Sequence, residues 1–498
     1  MALHYVRCDR DQPMLLPPDV REFVPDGHLA RFIVEVVEDI DTSALHARHP
    51  NDREGRPAYN PDVLLALCLY GASAGIRSSR KLEALATVDL AARYITANTV
   101  PDHATIARFL RENERAFKAI FLEFLRLCAE AGMVRVGVVA LDGTKVAANA
   151  SLDANASKDR IAEEADAIVG EMLATDEEEN ARFGPDRRGD ELPPDLADRR
   201  RRKQRLGRLN QALQRIDERE AEGNAELAAR TERMKQAEAA LTEAEAEAAQ
   251  RVAGWEAHRA ETGRNPTGRP PVAVPERVRR ARRRAAGARQ AVERQRARAK
   301  APKANTTDPD SRIMKTATGW VQGYNAQAVV TEDGVIVAAA VTDEPNDLAQ
   351  FDPMVQAAQD NLATAGVEEP VGTVLADAGY CSEDNLTSPG PDRLIATTKS
   401  WKLKRKTQEE DRPSGPPSQS ATPVEAMEHR LLTEEGEALY KLRSQTVEPV
   451  FGQIKEPRGL RRFRRRGRDA AESEWDLVCS VHNMLKLFRH RQRVPAVV

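Results

Sequence analysis

The chain has 498 residues, 31% charged and only 4% aromatic, with 75 Lys and Arg against 78 Asp and Glu for a formal net charge of −3. That length calls for several domains or for one with a large insertion, and the near-neutral total hides an acidic block at 163–180 and arginine-dense blocks at 277–300 and 455–468. The cysteines Cys8, Cys68, Cys128, Cys381 and Cys479 form no CxxC pair, and no apolar run reaches about 18 residues. P-loop, HExxH and helix-opening GxGxxG motifs are missing too, which argues against zinc, disulfide, membrane and nucleotide-driven chemistry. With no apolar signal core in MALHYVRCDR, a reducing cytoplasm is the expected setting.

In chain order, PPDVREFVPDGHLARFIVEVVEDI reads as a turn and an amphipathic helix. Pro61 suits a helix start in PDVLLALCLYGAS, and SSRKLEALATVDLAARYI carries Ser caps and helical spacing. Asp102 can cap a helix over HATIARFLRENERAFKAIFLEFLRLCAEAG that stops at Gly132. Residues 1–132 therefore form an all-α domain. His103, Thr105, Arg108 and Arg111 would suit a helix-turn-helix-like DNA reader, although from this segment alone a plain helical bundle is the preferred reading. At 134 the period changes, and VRVGVVALDGTKVAANA reads as a strand ending in Asp142-Gly143-Thr144-Lys145.

Residues 158–303 are charged and poor in aromatics. Leu206, Leu209, Leu213 and Ile216 keep heptad spacing, as do Leu227, Met234, Leu241 and Ala248, interleaved with Ala237 and Ala244, and GRNPTGRPPVAVP breaks the run. The reading is a helical hairpin, or coiled coil, with a basic returning arm. Gly268-Arg269-Pro270 reads as a turn, with a minor-groove hook the weaker alternative. Strands return in YNAQAVVTEDGVIVAAAVTDE, joined at Glu332-Asp333-Gly334. A helix follows, then VGTVLADAGY as a buried strand ending at Asp377, LIATTK as another strand, a polar loop at 402–424, and helices carrying Glu448 and WDLVCSVHNMLKLFRH.

With 158–303 set aside, two aspartates stand at strand ends and a glutamate on a packed helix. Strand ends present side chains to a crevice in an α/β sheet. Clustered carboxylates repel one another, and a hard divalent cation resolves that repulsion. Each residue alone has a plainer reading: Asp142 and Asp377 as turn residues, Glu448 as a favourable helix-start charge.

The stretches 141-LDGTK-145, 306-TTDPDSRIMK-315, 323-GYNAQAVV-330, 374-VLADAGY-380 and 440-YKLRSQTVEPVFGQIKEPRGLRRFRRRG-467, with 57-PAYNPDVLLALCLYGASAGIRSSRKLE-83 upstream, resemble the DDE transposases of bacterial insertion sequences, and within them the eleven-eighty-two group. The resemblance implies an RNase H-like catalytic core at 133–157 and 304–498, a mixed sheet with flanking helices. That α/β core would be interrupted by the 158–303 insertion and preceded by the helical DNA-binding domain. It implies Asp142, Asp377 and Glu448 as catalytic residues and ligands of two Mg2+ ions, with Mn2+ able to substitute. It further implies DNA contacts from Lys145, Tyr440, Arg443, Lys455, Arg458, Arg461, Arg462, Arg464, Arg465, Arg466 and Arg468. Arg443 stands one residue further from Glu448 than the commonest signature has it. The implied reaction cuts element ends to release 3′ hydroxyls, which attack target DNA. The implied partners are terminal inverted repeats, target DNA and a second copy of the chain, with no membrane and no nucleotide cofactor. The alternatives are a metal-dependent nuclease that does not join strands, and an inactive DNA-binding descendant.

Overall fold

α1 spans Leu29–Asp39, α2 Ser43–His46, α3 Pro61–Ser73, α4 Ser79–Val88, α5 Leu90–Ile95, α6 His103–Glu112 and α7 Ala116–Glu130. Side-chain caps open four of these seven helices, α1, α3, α5 and α6, while Ser78 at the start of α4 makes no such bond. Asn60 accepts from Asp62 N ahead of Pro61, and Asp102 accepts from Ala104 N and Thr105 N at 3.0 and 2.9 Å. Two expected single helices are each broken. Asp89 ends α4 and caps α5 through Ala92 N at 2.8 Å. Buried Asn113 turns its side-chain amide onto Phe109 O at 2.9 Å and closes α6, a local bond that competes with helix continuation. The structure, a computed structural model, describes residues 19–47, 58–183, 197–267, 270–272, 274–298, 302–316, 318–398 and 412–493. Cys8, the Gly268-Arg269 pair and the first part of the 402–424 loop lie outside the described residues.

By their contacts the chain divides into two compact units, 153–310 and the remainder. The larger unit holds the helices above and a mixed sheet. Its strands are β1 (Val138–Ala147), β4 (Arg312–Thr316), β5 (Gly319–Thr331), β6 (Ile336–Thr342), β7 (Thr373–Ala376) and β8 (Asp392–Ile395). They run in the order β4-β5-β1-β7-β8, with β6 also on β5. β5 is antiparallel to β1, β4 and β6, whereas β7 is parallel to β1 and β8. Gly334, at φ 72°, supplies the left-handed residue of the β5–β6 turn. α11 (Phe351–Thr364) and α12 (Glu383–Thr387) lie between strands in sequence, and α13 (Pro423–Leu432), α14 (Glu434–Lys455) and α15 (Arg468–Arg493) follow.

Two apolar layers cover the sheet. Val139, Leu141 and Val329 pack with α7, α11 and the N-terminal helices. Ala140, Val146, Ala326, Ala328 and Val330 pack with Val447, Val450, Phe451 and Ile454 of α14. α15 serves both layers and closes the β6 edge, where the Asn483 amide bonds Ile336 N at 2.9 Å and Ile336 O at 2.8 Å. No helix among the described residues is long and apolar enough to cross a membrane.

Asp476 of α15 is 2% exposed, and one of its oxygens has no hydrogen-bond donor. Burial pushes its carboxyl up to about 7, against the opposing pull of Lys118 at 3.8 Å. The folded protein thus keeps a proton that the unfolded chain, titrating near 3.8, has lost. Stability then falls as pH rises from about 4 through about 7. Asp476→Asn should unfold at higher urea than wild type at pH 8, by on the order of 2 kcal/mol, and the gap should close near pH 4. Equal midpoints at pH 8 would refute the burial penalty.

The smaller unit is built on α9 (Ala197–Thr262), whose 66 residues extend about 100 Å at 1.5 Å per residue. α8 (Lys158–Phe183) and α10 (Glu276–Arg298) each run antiparallel to it. Glu247, Glu245 and Glu238 pair in descending order with Arg277, Arg282 and Arg289. Exposed pairs of this kind contribute little. The apolar seams hold more: Ile161, Ala165 and Ile168 against Leu209, Ala212 and Ile216, with Ala237, Ala244, Val278, Ala285 and Val292 also buried. The short strands β2 (Asn155–Ala156) and β3 (Ala304–Asn305) pair antiparallel at its base.

Candidate active site

β1 does not stop at Asp142. The strand continues through Gly143 to Ala147 because β5 pairs with it along that whole length, Asp142 opposite Ala328 and Gly143 opposite Gln327. The Asp-Gly pair that reads locally as a turn is held extended by this ladder. Its parallel neighbour β7 is shorter. The β1–β7 register ends at Leu141 opposite Ala376, so Asp142, still within β1, and Asp377, the first residue past β7, come next, where the parallel ladder opens. That opening is the crevice where α/β sheets present their chemistry.

α14 brings the glutamate. The helix runs unbroken from Glu434 to Lys455 with Pro449 inside it, so Glu448 sits in mid-helix and not at a helix start. Phe451 and Ile454 are buried against the sheet, and the Tyr440 hydroxyl donates to Ala376 O at 3.2 Å, next to Asp377. Arg443 links the acids: its Nη2 is 2.7 Å from Asp142 Oδ2 and its Nη1 3.7 Å from Glu448 Oε1. Asp377 Oδ1 accepts from Gly379 N at 2.7 Å.

Burial, and the like charges of Asp377 and Asp347, push the Asp142 carboxyl up to about 6 even though Arg443 opposes them. The pocket thus holds more negative charge than its arginine balances. Among the described residues no three His, Cys, Asp or Glu side chains already converge at ligating distance. Hard oxygen donors around a guanidinium, with one aspartate reluctant to ionise, nevertheless fit a divalent cation in both charge and donor type.

Asp347 gave no motif in the sequence. It follows β6, and its Oδ1 accepts from Lys145 Nζ at 3.2 Å, Asn325 Nδ2 at 2.7 Å and Gln327 Nε2 at 2.9 Å. Gln327 Oε1 in turn accepts from the buried Tyr380 hydroxyl. The usable signal was the pair Asn325 and Gln327, two amides two residues apart in an apolar strand, hence on one face. Gly143 lies over this network. A Cβ there would stand 2.1 Å from Gln327 Nε2 and 2.7 Å from Asp347 Oδ1. Gly143→Ala should destabilise the protein by about 1–3 kcal/mol, read by urea unfolding. An unchanged midpoint would show that the amides yield freely.

The basic residues separate into two groups. Leu460 and Phe463 are fully buried, and Phe463 N donates to Ala147 O at 2.8 Å, so the loop after α14 is pinned to the end of β1. Arg461, Arg462, Arg464, Arg466 and Arg468 face solvent around it. Lys455 is partly buried, and its ammonium is held below its usual range by burial and by Arg461. Arg458 and Arg465 point inward, against the expectation of a surface grip. Arg458 is 4% exposed and meets His482 Nδ1 at 3.1 Å, and Arg465 bonds Glu114 at 2.7 Å and Leu110 O at 2.9 Å. A buried Arg77–Glu474 pair at 2.6 Å, with Arg77 also on Gly459 O at 2.9 Å, fastens the loop from the other side. Arg108 and Arg111 are exposed on α6.

Two family models match the chain: a transposase domain (DUF772) over residues 18–112 and a transposase DDE domain over residues 404–488. The second spans Tyr440, Arg443, Glu448, Lys455 and the arginine loop, while Asp142 and Asp377 lie upstream of it. No curated protein and no solved structure matches. A transposase domain at the head of the chain and a transposase DDE domain carrying the helix that faces Asp142 together support a DDE transposase of insertion-sequence type.

Proposed function

We propose that the protein cuts DNA at the ends of its own element and joins the released ends to target DNA, on an RNase H-like core with Asp142, Asp377 and Glu448 as its catalytic triad. The observation that carries this reading is Asp142 on β1 next to Asp377 just past the end of β7, with Arg443 bridging Asp142 to Glu448 of α14. Three antiparallel strands, β6, β5 and β1, followed by the parallel pair β7 and β8, support the core assignment.

Asp142, Asp377 and Glu448 would hold two Mg2+ ions, with Mn2+ able to replace them. When bound, such ions supply charge stabilisation to the attacking and leaving oxygens of an in-line phosphoryl displacement. The chain supplies position. Tyr440 fixes α14 to the end of β7, Phe451 and Ile454 seat it on the sheet, and Arg443 balances Asp142 and faces the crevice. Lys455, Arg461, Arg462, Arg464, Arg466 and Arg468 grip the phosphate backbone, giving salt-dependent affinity with little sequence information. Arg108 and Arg111 on α6 read or flank the element's ends. Two copies of the chain hold the two ends, and the 153–310 unit serves that pairing or contacts DNA.

The test is a linear DNA carrying the element's ends, compared with DNA of equal length without them, in Mg2+, in Mn2+ and in EDTA. Cuts at the ends and joined products, both lost in EDTA, are expected. Cutting that ignores the ends and yields no joined product would overturn the reading in favour of a nuclease.

A further inference from the structure

Lys145 sits two residues beyond Gly143 on β1 with its side chain only 16% exposed, 3.2 Å from Asp347; burial holds its ammonium below the usual range, and Asp347, with Asp142 and Asp377 behind it, opposes that. A lysine is a compact cation on a flexible stem with three donors. Left to itself among three carboxylates, it would serve as an internal counterion and compete with any metal for the same oxygens. The structure places it against Asp347 instead.

Asp347 is fixed independently of the lysine. The amides of Asn325 and Gln327, both fully buried, donate to the same Oδ1, and Asn325 Nδ2 also reaches Glu344 O at 3.2 Å. Its other oxygen, Oδ2, lies toward Asp377: a Cβ on Gly379 would stand 3.2 Å from Asp347 Oδ2 and 2.9 Å from Asp377 Oδ1. The buried Asn325 Oδ1 has no hydrogen-bond partner and lies 2.8 Å from the point where a Gly143 Cβ would be, on the same face of β1 as Lys145.

We propose that Asp347 is a positioning residue that draws Lys145 away from Asp142 and Asp377, leaving those two carboxylates open to a divalent cation. The proposal rests on the transposase reading above and adds a residue to its site. Removing the Asp347 charge releases Lys145 onto the catalytic aspartates, and removing the lysine as well undoes the damage.

The test titrates the full chain with Mn2+ by calorimetry, without DNA, for wild type, Asp347→Asn, Lys145→Met and the double variant. Asp347→Asn should weaken Mn2+ binding by about 10-fold or more, the range seen when a partner behind a metal ligand is lost. The double variant should return to within about 3-fold of wild type, and Lys145→Met alone should bind at least as tightly as wild type. Unchanged binding in Asp347→Asn, a double variant as weak as Asp347→Asn, or weakened binding in Lys145→Met would each overturn the proposal. Lys145→Met decides the matter even if Asp347→Asn fails to fold. If wild type takes up no Mn2+, the metal reading of the site fails and this proposal with it, whereas intact wild-type binding with any of the other failures sinks the proposal alone.

Discussion

Asp377→Asn should abolish cleavage at the element's ends by about 10³-fold or more while leaving DNA binding at wild-type strength. The exchange keeps an oxygen where Asp377 Oδ1 now accepts from Gly379 N, so the turn after β7 is preserved. What goes is one negative charge at the mouth of β1 and β7. A cation held by carboxylates loses a hard anionic ligand, and a loss of about 4 kcal/mol in transition-state stabilisation corresponds to that factor. Glu448→Gln should do the same with still less effect on folding, because the glutamate side chain is 58% exposed. Cleavage is read by gel from end-bearing DNA and binding by mobility shift at fixed salt, since phosphate contacts dominate affinity. Cleavage within tenfold of wild type in either variant would remove that carboxylate from the catalytic set. Binding that collapses along with cleavage would make the residue a structural one.

Part of this site could be read before any fold was known, and the reason lies in which residues act locally. VGTVLADAGY is an apolar run that ends on an acid, and β7 ends one residue before Asp377. Glu448 and Lys455, seven residues apart, share one helix face by spacing alone, and Asp102 and Asn60 announce helix starts through short-range bonds. Asp142 was harder. Asp-Gly is a turn signal by local rules, and only the pairing of β1 with β5, separated from it by the whole 153–310 unit, makes it mid-strand. Arg458 and Arg465 escaped for a related reason. A run of arginines reads as solvated, yet Leu460 and Phe463 turn the loop inward, and Glu114 on the α6–α7 connection gives Arg465 a partner from far away in sequence. Asp347 carried no signature at all. Its meaning comes from Asn325, Gln327 and Lys145, which face it only once β1 and β5 are in register.

Trp475→Ala should lower the unfolding free energy by about 3–5 kcal/mol, the range for deleting a buried large aromatic side chain. Trp475 is fully buried. Its ring stacks on Phe451 at 6.3 Å with 24° between planes, and its Nε1 donates to Gln327 O at 3.0 Å. One side chain of α15 thereby touches both parts that define the site: the helix carrying Glu448, and the strand whose Gln327 amide holds Asp347. The alanine variant leaves a cavity beneath α14 and an indole's hydrogen bond unmade, so the loss should appear in urea unfolding and also in cleavage by whatever protein stays folded at low denaturant. Trp475→Phe separates the two contributions. It keeps most of the stacked surface and removes only the N–H donor, so it should recover all but about 1–2 kcal/mol. A phenylalanine variant as unstable as alanine would assign the stability to the bond onto β5. An alanine variant within 1 kcal/mol of wild type would mean that α14 is held against the sheet by Val447, Val450 and Ile454 without help from α15.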